Sequence, residues 1–274
     1  MSEPRFRRRV HTVVSITALV VLVGATCVAG TASAAVAATA PPAVSAPSPG
    51  TGFGGPGPEA AAPAAPLTFS GRTWRVKTST RGVGPGPNVF SAANVSVDPV
   101  GRLHLAISRT TRGWSCAEVW LDQSLGYGTY EWQLASDVSA LDASAVLGLF
   151  TWSDAPDYNH REIDFEASRW GVPNDPTNAQ WVVQPFDAPG NLTRWTIGRT
   201  VPSVVRFTWS RSGITFEALA GGVVVSRRVS SGAANPLPGG EQAHMNLWLY
   251  QGHAPRNGQP LEVVVDRFTY RPLP

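Results

Sequence analysis

Cysteine is scarce in this 274-residue chain, which contains only two, Cys27 and Cys116. Cys27 lies in an amino-terminal segment that we expect to be removed, so the remaining chain can form no internal disulfide. We expect Cys116 to be buried as a small apolar side chain and not to act as a nucleophile. Lysine is scarcer still, because Lys77 is the only one among 22 Lys and Arg residues. That bias is typical of a high-GC bacterial genome.

Charge of either sign is also low, since Asp, Glu, Lys and Arg make up 15% of the chain and the formal net charge is +3. Residues 1–34 hold one Glu and four Arg, so they carry 4 − 1 = 3 of those positive charges. The rest of the chain is formally neutral and offers no basic patch. We therefore expect no nucleic-acid partner, and we expect a monomer.

Two common hydrolase signatures are missing. Only four His residues follow residue 34, and the chain contains neither His-Glu-x-x-His nor Gly-x-Ser-x-Gly. These absences disfavour a metallohydrolase or a serine hydrolase. Two of the histidines, His160 and His244, could still line a binding cleft.

Residues 1–34 have the pattern of a secretory signal peptide. A basic segment (5–9) is followed by an apolar stretch (13–29) and by Ala-Ser-Ala at 32–34, a small-x-small cleavage site. We predict export by the general secretory route, cleavage before Ala35, an extracellular location and no stable membrane association afterwards. An uncleaved membrane anchor and a twin-arginine route are the alternatives.

The composition changes twice along the remaining chain. Residues 35–66 are almost entirely Ala, Pro, Gly and Ser, which predicts an extended, disordered linker. Residues 67–274 contain no convincing amphipathic helix, but short alternating segments recur between Gly, Pro and Asn turns. We predict one all-β domain of two stacked antiparallel sheets. The candidate strands are 103–107, 128–134, 146–152, 162–166, 204–209, 214–218, 244–250 and 261–270.

One candidate strand carries three alternating carboxylates, Glu162, Asp164 and Glu166. Side chains alternate along a strand, so these three share one face while the apolar residues between them point to the core. Neighbouring like charges raise carboxyl pKa values, an arrangement that suits the separate acid and nucleophile of a retaining glycosidase. A solvated edge strand and a calcium-binding cluster are the alternative interpretations.

Other candidate strands place polar groups beside aromatic rings, which suits a sugar ligand. We expect Trp74, Trp132 and Trp209 to belong to the core. The residues that we expect to face a glycan are Glu118, Trp120, Phe150, Trp152, His244, Asn246 and Trp248.

With these residues identified, the chain resembles glycoside hydrolase family 16, the laminarinase, lichenase and xyloglucan transglycosylase family. The family's Glu-x-Asp-x-Glu signature matches residues 162–166 of this chain. Three further segments are similar to the family's, in the family's order: Cys116-Ala117-Glu118, Gly126-Tyr127-Gly128-Thr129-Tyr130-Glu131 and Met245-Asn246-Leu247-Trp248.

The resemblance implies a concanavalin A-like jelly roll whose concave sheet forms a glycan cleft. It implies that Glu162 is the nucleophile, Asp164 the assisting carboxylate and Glu166 the acid/base. It also implies a polysaccharide or oligosaccharide substrate, with β-glucan as the first expectation, and chemistry that needs no cofactor. The implied substrate contacts are Glu118, Trp152, Asn246, Trp248 and Gln180, whereas Trp120 and Phe150 are expected to face the glycan from the strand alternation alone.

Three features bear on how far the resemblance extends. Lichenases have an arginine where this chain has Trp120, so their substrate does not transfer. The family's Tyr-x-Asp-Gly hairpin is missing from 213–222, a change expected to affect only the convex face. Family members often bind a structural Ca²⁺ through an Asp in the last strand, and Asp266 matches that position; a surface salt bridge is its alternative role.

Three functions follow from the sequence. The first is a retaining β-glycan hydrolase with a covalent glycosyl-enzyme intermediate. The second is a lectin-like module of the same fold, and the third is a transglycosylase, which passes the glycosyl group to a sugar instead of water. The sequence does not choose the linkage, the sugar, or endo against terminal cleavage.

Overall fold

The computed structural model describes residues 65–232 and 235–273, and these residues form an all-β jelly-roll sandwich, as predicted. The predicted signal peptide and residues 35–64 of the predicted linker lie outside the described residues. No helix among the described residues is long and apolar enough to cross a membrane.

Strands account for most of the described regular structure. They are β1 (Leu67–Phe69), β2 (Arg72–Val76), β3 (Val89–Phe90), β4 (Val95–Val97), β5 (Leu103–Thr110), β6 (Gly113–Ser124), β7 (Gly128–Leu134), β8 (Ala145–Trp152), β9 (Ile163–Ala167), β10 (Ala179–Val183), β11 (Leu192–Trp195), β12 (Val204–Ser210), β13 (Gly213–Ala220), β14 (Val223–Ser230), β15 (Gln242–Leu249) and β16 (Leu261–Pro272). Short 3-10 segments cover Ala92–Asn94, Val138–Ala140, Asn159–Arg161 and Tyr250–Gly252.

The strands form two sheets that are joined through one hairpin. The site sheet has the order β11, β10, β9, β8, β15, β6, β2, β1. The back sheet has the order β4, β5, β16, β7, β12, β13, β14. Residues 108–115 of the β5–β6 hairpin connect them. All of these pairs are antiparallel, and the short β3 pairs with β6 in parallel.

Large aromatic rings fill the space between the sheets. Trp74 of the site sheet packs edge-on against Phe268 of the back sheet, with ring centroids 5.2 Å apart. Trp181 and Phe216 make a second contact across the sandwich at 5.3 Å. The predicted core positions of Trp74, Trp132 and Trp209 are confirmed, because all three have 0% exposure. Truncating such a ring to alanine typically costs about 3 to 5 kcal/mol.

All eight predicted strands are present, with small differences at their ends. The largest functional difference is in β9, which begins at Ile163 and not at Glu162. The β13–β14 hairpin, where the family's Tyr-x-Asp-Gly is missing, turns through Gly221 and Gly222. Both have positive φ (56° and 81°), as a tight two-residue hairpin requires. This hairpin belongs to the back sheet, away from the carboxyl residues.

Candidate active site

Three carboxyl groups lie at alternate positions at the start of β9. Glu162 precedes the strand with an extended backbone (φ −85°, ψ 123°), so the alternation continues through Asp164 and Glu166. Glu162 and Asp164 are 6% and 3% exposed, and Glu166 is partly exposed. Because β9 is paired on both sides, by β8 and β10, the carboxyl groups do not belong to a solvated edge strand.

The strand register brings polar residues from neighbouring strands into line with Glu166. Gly148 on β8 and Gln180 on β10 are its direct partners. Beyond Gly148 lie Asn246 on β15 and then Glu118 on β6. Paired residues share a face of the sheet, so the predicted contacts Glu118, Asn246 and Gln180 face the same side as the carboxyl groups. A side chain at Gly148 would clash with Asn246 Oδ1, so glycine leaves room for the Asn246 amide.

A second row across the same face is aromatic. Trp120 pairs with His244, His244 with Phe150, and Phe150 with Asp164. The His244 ring lies nearly parallel to Trp120 with centroids 6.1 Å apart, and its centroid is 5.0 Å from that of Phe150. The apolar faces of such rings, next to carboxyl and amide groups, are suited to stacking on a sugar.

Two further predicted tryptophans differ in how they are presented. Trp152 is partly exposed and stacks on His160, with centroids 4.0 Å apart and planes 6° from parallel. Trp248 is only 5% exposed, because Trp170 packs against it at 6.0 Å. Trp248 therefore presents little surface to a ligand in this conformation, unlike the cleft position predicted for it. The covering residue lies in the loop after β9, which the alternation along β15 could not reveal.

Glu162 and Asp164 share a hydrogen bond. Carboxylate oxygens only accept hydrogen bonds, so one of the two groups must keep a proton. Burial raises the pKa of both groups, and the nearby carboxylates raise both pKa values further. Their mutual hydrogen bond lowers the pKa of Glu162 and raises that of Asp164. The two carboxyl groups therefore hold at least one proton between them and titrate as a pair.

Glu166 has a different environment from its two neighbours. Burial raises its pKa to about 7, and the hydrogen bond from Gln180 and the positive charge of Arg194 act in the opposite direction. Gln180 Nε2 donates that hydrogen bond to Glu166 Oε2 over 2.6 Å. A carboxyl group with this pKa can hold a proton near neutrality and release it in a reaction.

Glu118 is also buried on this face, but it is paired with two cationic or polar partners. Lys77 Nζ donates to Glu118 Oε2 over 2.8 Å, and His244 Nδ1 lies 3.3 Å from Oε1. Burial alone would raise the pKa of Glu118, yet Lys77 and His244 together lower it to about 2. Glu118 is therefore an anion across the physiological range, and its charge fixes a proton on His244 Nδ1.

The turn that leads into Glu162 is left-handed. Tyr158, Asn159, His160 and Arg161 have φ values of 52°, 50°, 63° and 55°. Each such residue costs about 1 to 2 kcal/mol, so the surroundings must hold the turn. Arg161 Nε donates to the Leu237 carbonyl (2.9 Å), and the Arg161 carbonyl accepts from Thr151 Oγ1 (2.8 Å). These contacts set the direction in which the chain enters β9.

Sequence reasoning missed several residues that complete the site, chiefly Lys77, Gln184 and Arg194. Lys77 had a usable signal, since Trp74 and Val76 point inward and Lys77, directly after β2, therefore lies on the opposite face of the sheet. Gln184 follows β10, and its side chain lowers the pKa of Asp164. Arg194 carried no local signal, because its partners come from distant loops and strands.

Asp266 lies outside this site, on the back sheet. It is exposed at a register shift in β16, where its charge acts on Arg102. The described residues contain no group of three or more His, Cys, Asp or Glu side chains that could hold a metal ion. A structural Ca²⁺ at Asp266 would therefore need backbone carbonyl ligands, and it stays a prediction.

Comparison with known proteins gave matches among solved structures only; no protein-family model and no curated protein matches the chain. A Bacillus licheniformis β-glucanase matches with 20% identity and a TM-score of 0.54, covering 72% of this chain and 91% of the other. A family 16 mixed-linkage glucan enzyme of Bacteroides ovatus, solved with an oligosaccharide product, matches with 14% identity and a TM-score of 0.56, covering 72% and 94%.

A third match is a Mycobacterium tuberculosis protein described as an immunostimulatory antigen and pseudo β-1,3-glucanase. It has 20% identity and a TM-score of 0.56, and the alignment covers 73% of this chain and 91% of the other. The matched structures thus include β-glucan hydrolases and one protein described as a pseudo-enzyme. The chain therefore has the fold of the solved family 16 glucanases.

Proposed function

We propose that the protein is a retaining glycoside hydrolase that cleaves a β-linked glycan, with β-glucan as its first expected substrate. The observation that carries this proposal is the row of Glu162, Asp164 and Glu166 on one face of a doubly paired strand. Three carboxyl groups at such close spacing are costly in a merely structural role. Here their partners differ, so their protonation states can differ as well.

In the first step, Glu166 donates its proton to the glycosidic oxygen as that bond to the anomeric carbon breaks. The Glu162 carboxylate attacks the same carbon and forms a glycosyl-enzyme ester. Asp164 keeps its proton and donates a hydrogen bond to Glu162, which holds the nucleophile in place and stabilises its negative charge.

In the second step, the ionised Glu166 removes a proton from water as the water oxygen attacks the anomeric carbon. The ester bond breaks, Glu162 returns to a carboxylate, and Glu166 regains its proton. Glu118, Asn246 and the rings of Trp120, Phe150 and Trp152 would bind the sugars on either side of the broken bond.

The test is release of reducing ends from a panel of β-glucans, xyloglucan and galactans by the purified protein and by Glu162→Gln. We expect one substrate class to be cleaved, and we expect Glu162→Gln to bind that glycan without cleaving it. Glu262→Gln is the matched control, since Glu262 is an exposed residue of the back sheet paired with His104. Full activity of Glu162→Gln would refute the proposal.

The second candidate is a glycan-binding protein without turnover, and the pseudo β-1,3-glucanase among the matched structures favours keeping it. Calorimetric binding of a glycan by the wild-type protein, with no change in the glycan after long incubation, would select this function. Transglycosylation differs in its products, because transfer yields chains longer than the starting oligosaccharide.

Export is part of the proposal and rests on residues 1–34. Amino-terminal sequencing of the protein recovered outside the producing cells should begin at Ala35. A mature chain that begins at Met1 and stays with the membrane fraction would instead select the anchor. Light scattering on the purified protein tests the expected monomer.

A further inference from the structure

We infer that Arg194 is a positioning residue for the acid/base, acting through Gln180 to fix which oxygen of Glu166 carries the proton. This inference rests on the role proposed above for Glu166. The relay consists of Arg194, Gln180 and Glu166, which lie side by side on β11, β10 and β9.

The guanidinium of Arg194 is fixed from several directions. Its Nη2 donates to Asp175 Oδ2 over 2.7 Å and to the Thr177 carbonyl over 2.9 Å. Its Nε donates to Thr177 Oγ1 over 2.7 Å. The remaining nitrogen, Nη1, donates to Gln180 Oε1 over 3.1 Å. A guanidinium held by this many bonds cannot turn away without losing most of them.

The chemistry of the three groups then dictates the direction of the relay. Arginine only donates hydrogen bonds, so the oxygen of the Gln180 amide must face Arg194. The amide nitrogen of Gln180 must consequently face Glu166, and an amide N–H only donates. Glu166 Oε2 therefore accepts this hydrogen bond in both protonation states. Because the carbonyl-type oxygen of a protonated carboxyl group is its better acceptor, this contact favours the exchangeable proton on Oε1.

Gln180 is only 2% exposed, so water does not readily replace either partner of its amide. Without Arg194, the amide could rotate and present its oxygen to Glu166, which would place the proton on Oε2 and point it at Gln180. An acid whose proton faces a buried amide is misdirected for transfer to a substrate oxygen.

The charges around Glu166 set the direction of the pH effect. Glu162 and Asp164 face it from its own strand, Gln180 from β10, and β8 contributes only Gly148 beside it. Arg194 is the positive charge that acts on Glu166, and Asp175 is the carboxylate behind it. Loss of the Arg194 charge should thus make Glu166 hold its proton more tightly.

The test compares the pH dependence of kcat/KM for the wild type, Arg194→Met and Arg194→Lys. We expect Arg194→Met to lower kcat/KM by about tenfold or more. We also expect the alkaline limb of the pH profile, where kcat/KM falls as Glu166 loses its proton, to move to higher pH by about half a unit or more. Arg194→Lys keeps the positive charge but not the several donors of the guanidinium. We therefore expect the alkaline limb to stay at the same pH and kcat/KM to fall in part. A loss of rate in Arg194→Met with an unmoved limb would overturn the inference.

Arg228→Met is the matched control. Arg228 is also a half-buried arginine packed on this end of the sheet, where it donates to the carbonyls of Trp181 and Asn191. Arg228→Met should lower the free energy of unfolding without moving the alkaline limb of the kcat/KM pH profile. A double-mutant cycle with Gln180→Leu tests the route: the rate effect of Arg194→Met should largely disappear in that background. An undiminished effect would show that Arg194 does not act through Gln180.

A carboxyl titration separates failure of this inference from failure of the proposed function. The titration uses the Glu162→Gln protein with ¹³C-labelled Glu, with and without Arg194→Met. The Glu166 carboxyl resonance is assigned because it is lost when Glu166→Gln is added. We expect this resonance to titrate at lower pH in Glu162→Gln than in Glu162→Gln/Arg194→Met. This readout needs no turnover. An identical titration in the two proteins would overturn the inference even if the protein is an active hydrolase.

Discussion

Two glutamates of one cross-strand row, Glu118 and Glu166, illustrate how this sheet controls protonation. Both lie on the same face, separated by β8 and β15, at about 14 Å on ordinary strand spacing. Burial pushes the pKa of each upward. Yet the pKa of Glu118 is about 2 and that of Glu166 is about 7.

The difference comes from their partners. Glu118 has the ammonium group of Lys77 and the ring of His244 at hydrogen-bond distance. Glu166 has a neutral amide there, and its nearest cation, Arg194, acts from behind that amide. One glutamate is thereby suited to bind hydroxyl groups as a fixed anion, and the other to give and take a proton.

The first prediction breaks the comparison by removing each carboxyl group in turn. Glu166→Gln should lower kcat by about 10² to 10⁴, because the leaving oxygen loses its acid. Glu118→Gln should chiefly raise KM, with kcat within about tenfold of the wild type. Steady-state kinetics on the cleaved glycan checks both. Equal losses of kcat in the two variants would remove the distinction between the two roles.

The second prediction concerns the cation that sets the state of Glu118. Lys77→Met leaves a buried carboxylate without its main partner, so the free energy of unfolding should fall by about 3 kcal/mol. Adding Glu118→Gln should restore part of that loss, since no unpaired charge is then buried. Urea unfolding of the two single variants and the double variant measures the coupling. Additive losses would show that the two residues are not coupled.

The third prediction sharpens the comparison through pH. Glu118 has a lowered pKa, so its contribution to stability is complete above the ordinary glutamate pKa of about 4.3 and is lost as pH falls toward 2. Glu166 has a raised pKa, so the folded form binds the extra proton and stability falls as pH rises from about 4.3 to 7.

Urea midpoints at about pH 3, 5 and 7 test these signs. Glu118→Gln should flatten the acid side of the profile, and Glu166→Gln should flatten part of the decline toward neutral pH. The rest of that decline should remain, because Glu162 and Asp164 also have raised pKa values. A Glu166→Gln profile parallel to that of the wild type would contradict the assigned environment.

The fourth prediction has the smallest effect and concerns the partly exposed Trp152, which stacks on His160. Trp152→Ala should raise KM by about fivefold, equivalent to about 1 kcal/mol of lost ring contact, with kcat little changed. Trp248→Ala should instead act on stability, because Trp248 is covered by Trp170. Kinetics and thermal unfolding of both variants separate the two effects. A binding defect confined to Trp248→Ala would reverse the assignment.

Local patterns in the sequence predicted the strands whose alternation is clean, including β7 at its full extent and the carboxyl face of β9. They missed β10, whose five residues are all buried and show no alternation in polarity. They placed Glu118 and Trp120 on one face of a strand without giving that strand bounds. It is β6, in which Ser115 through Val119 are buried in succession. Burial of both faces does not by itself hide a strand, since β8 and β15 are also buried along almost their whole length and were predicted from their apolar and aromatic residues.

The state of each glutamate could not be predicted from local patterns. Lys77 lies 41 residues from Glu118, and His244 lies 126 residues away. Arg194 reaches Gln180 from 14 residues further along the chain. These distances are bridged only when the sheet assembles. The motif could therefore give the identity of the carboxyl groups, whereas the two pKa values follow from the strand order.

The central claim is that Glu162 is the nucleophile of a carboxyl row that performs covalent glycoside chemistry. Its most direct test is mass spectrometry after incubation with an activated 2-deoxy-2-fluoro oligosaccharide of the cleaved glycan, which slows breakdown of a glycosyl-enzyme. We expect one adduct, mapped to the peptide that contains Glu162 and absent from Glu162→Gln. Cleavage of the glycan with no adduct, or with an adduct on another residue, would contradict the account.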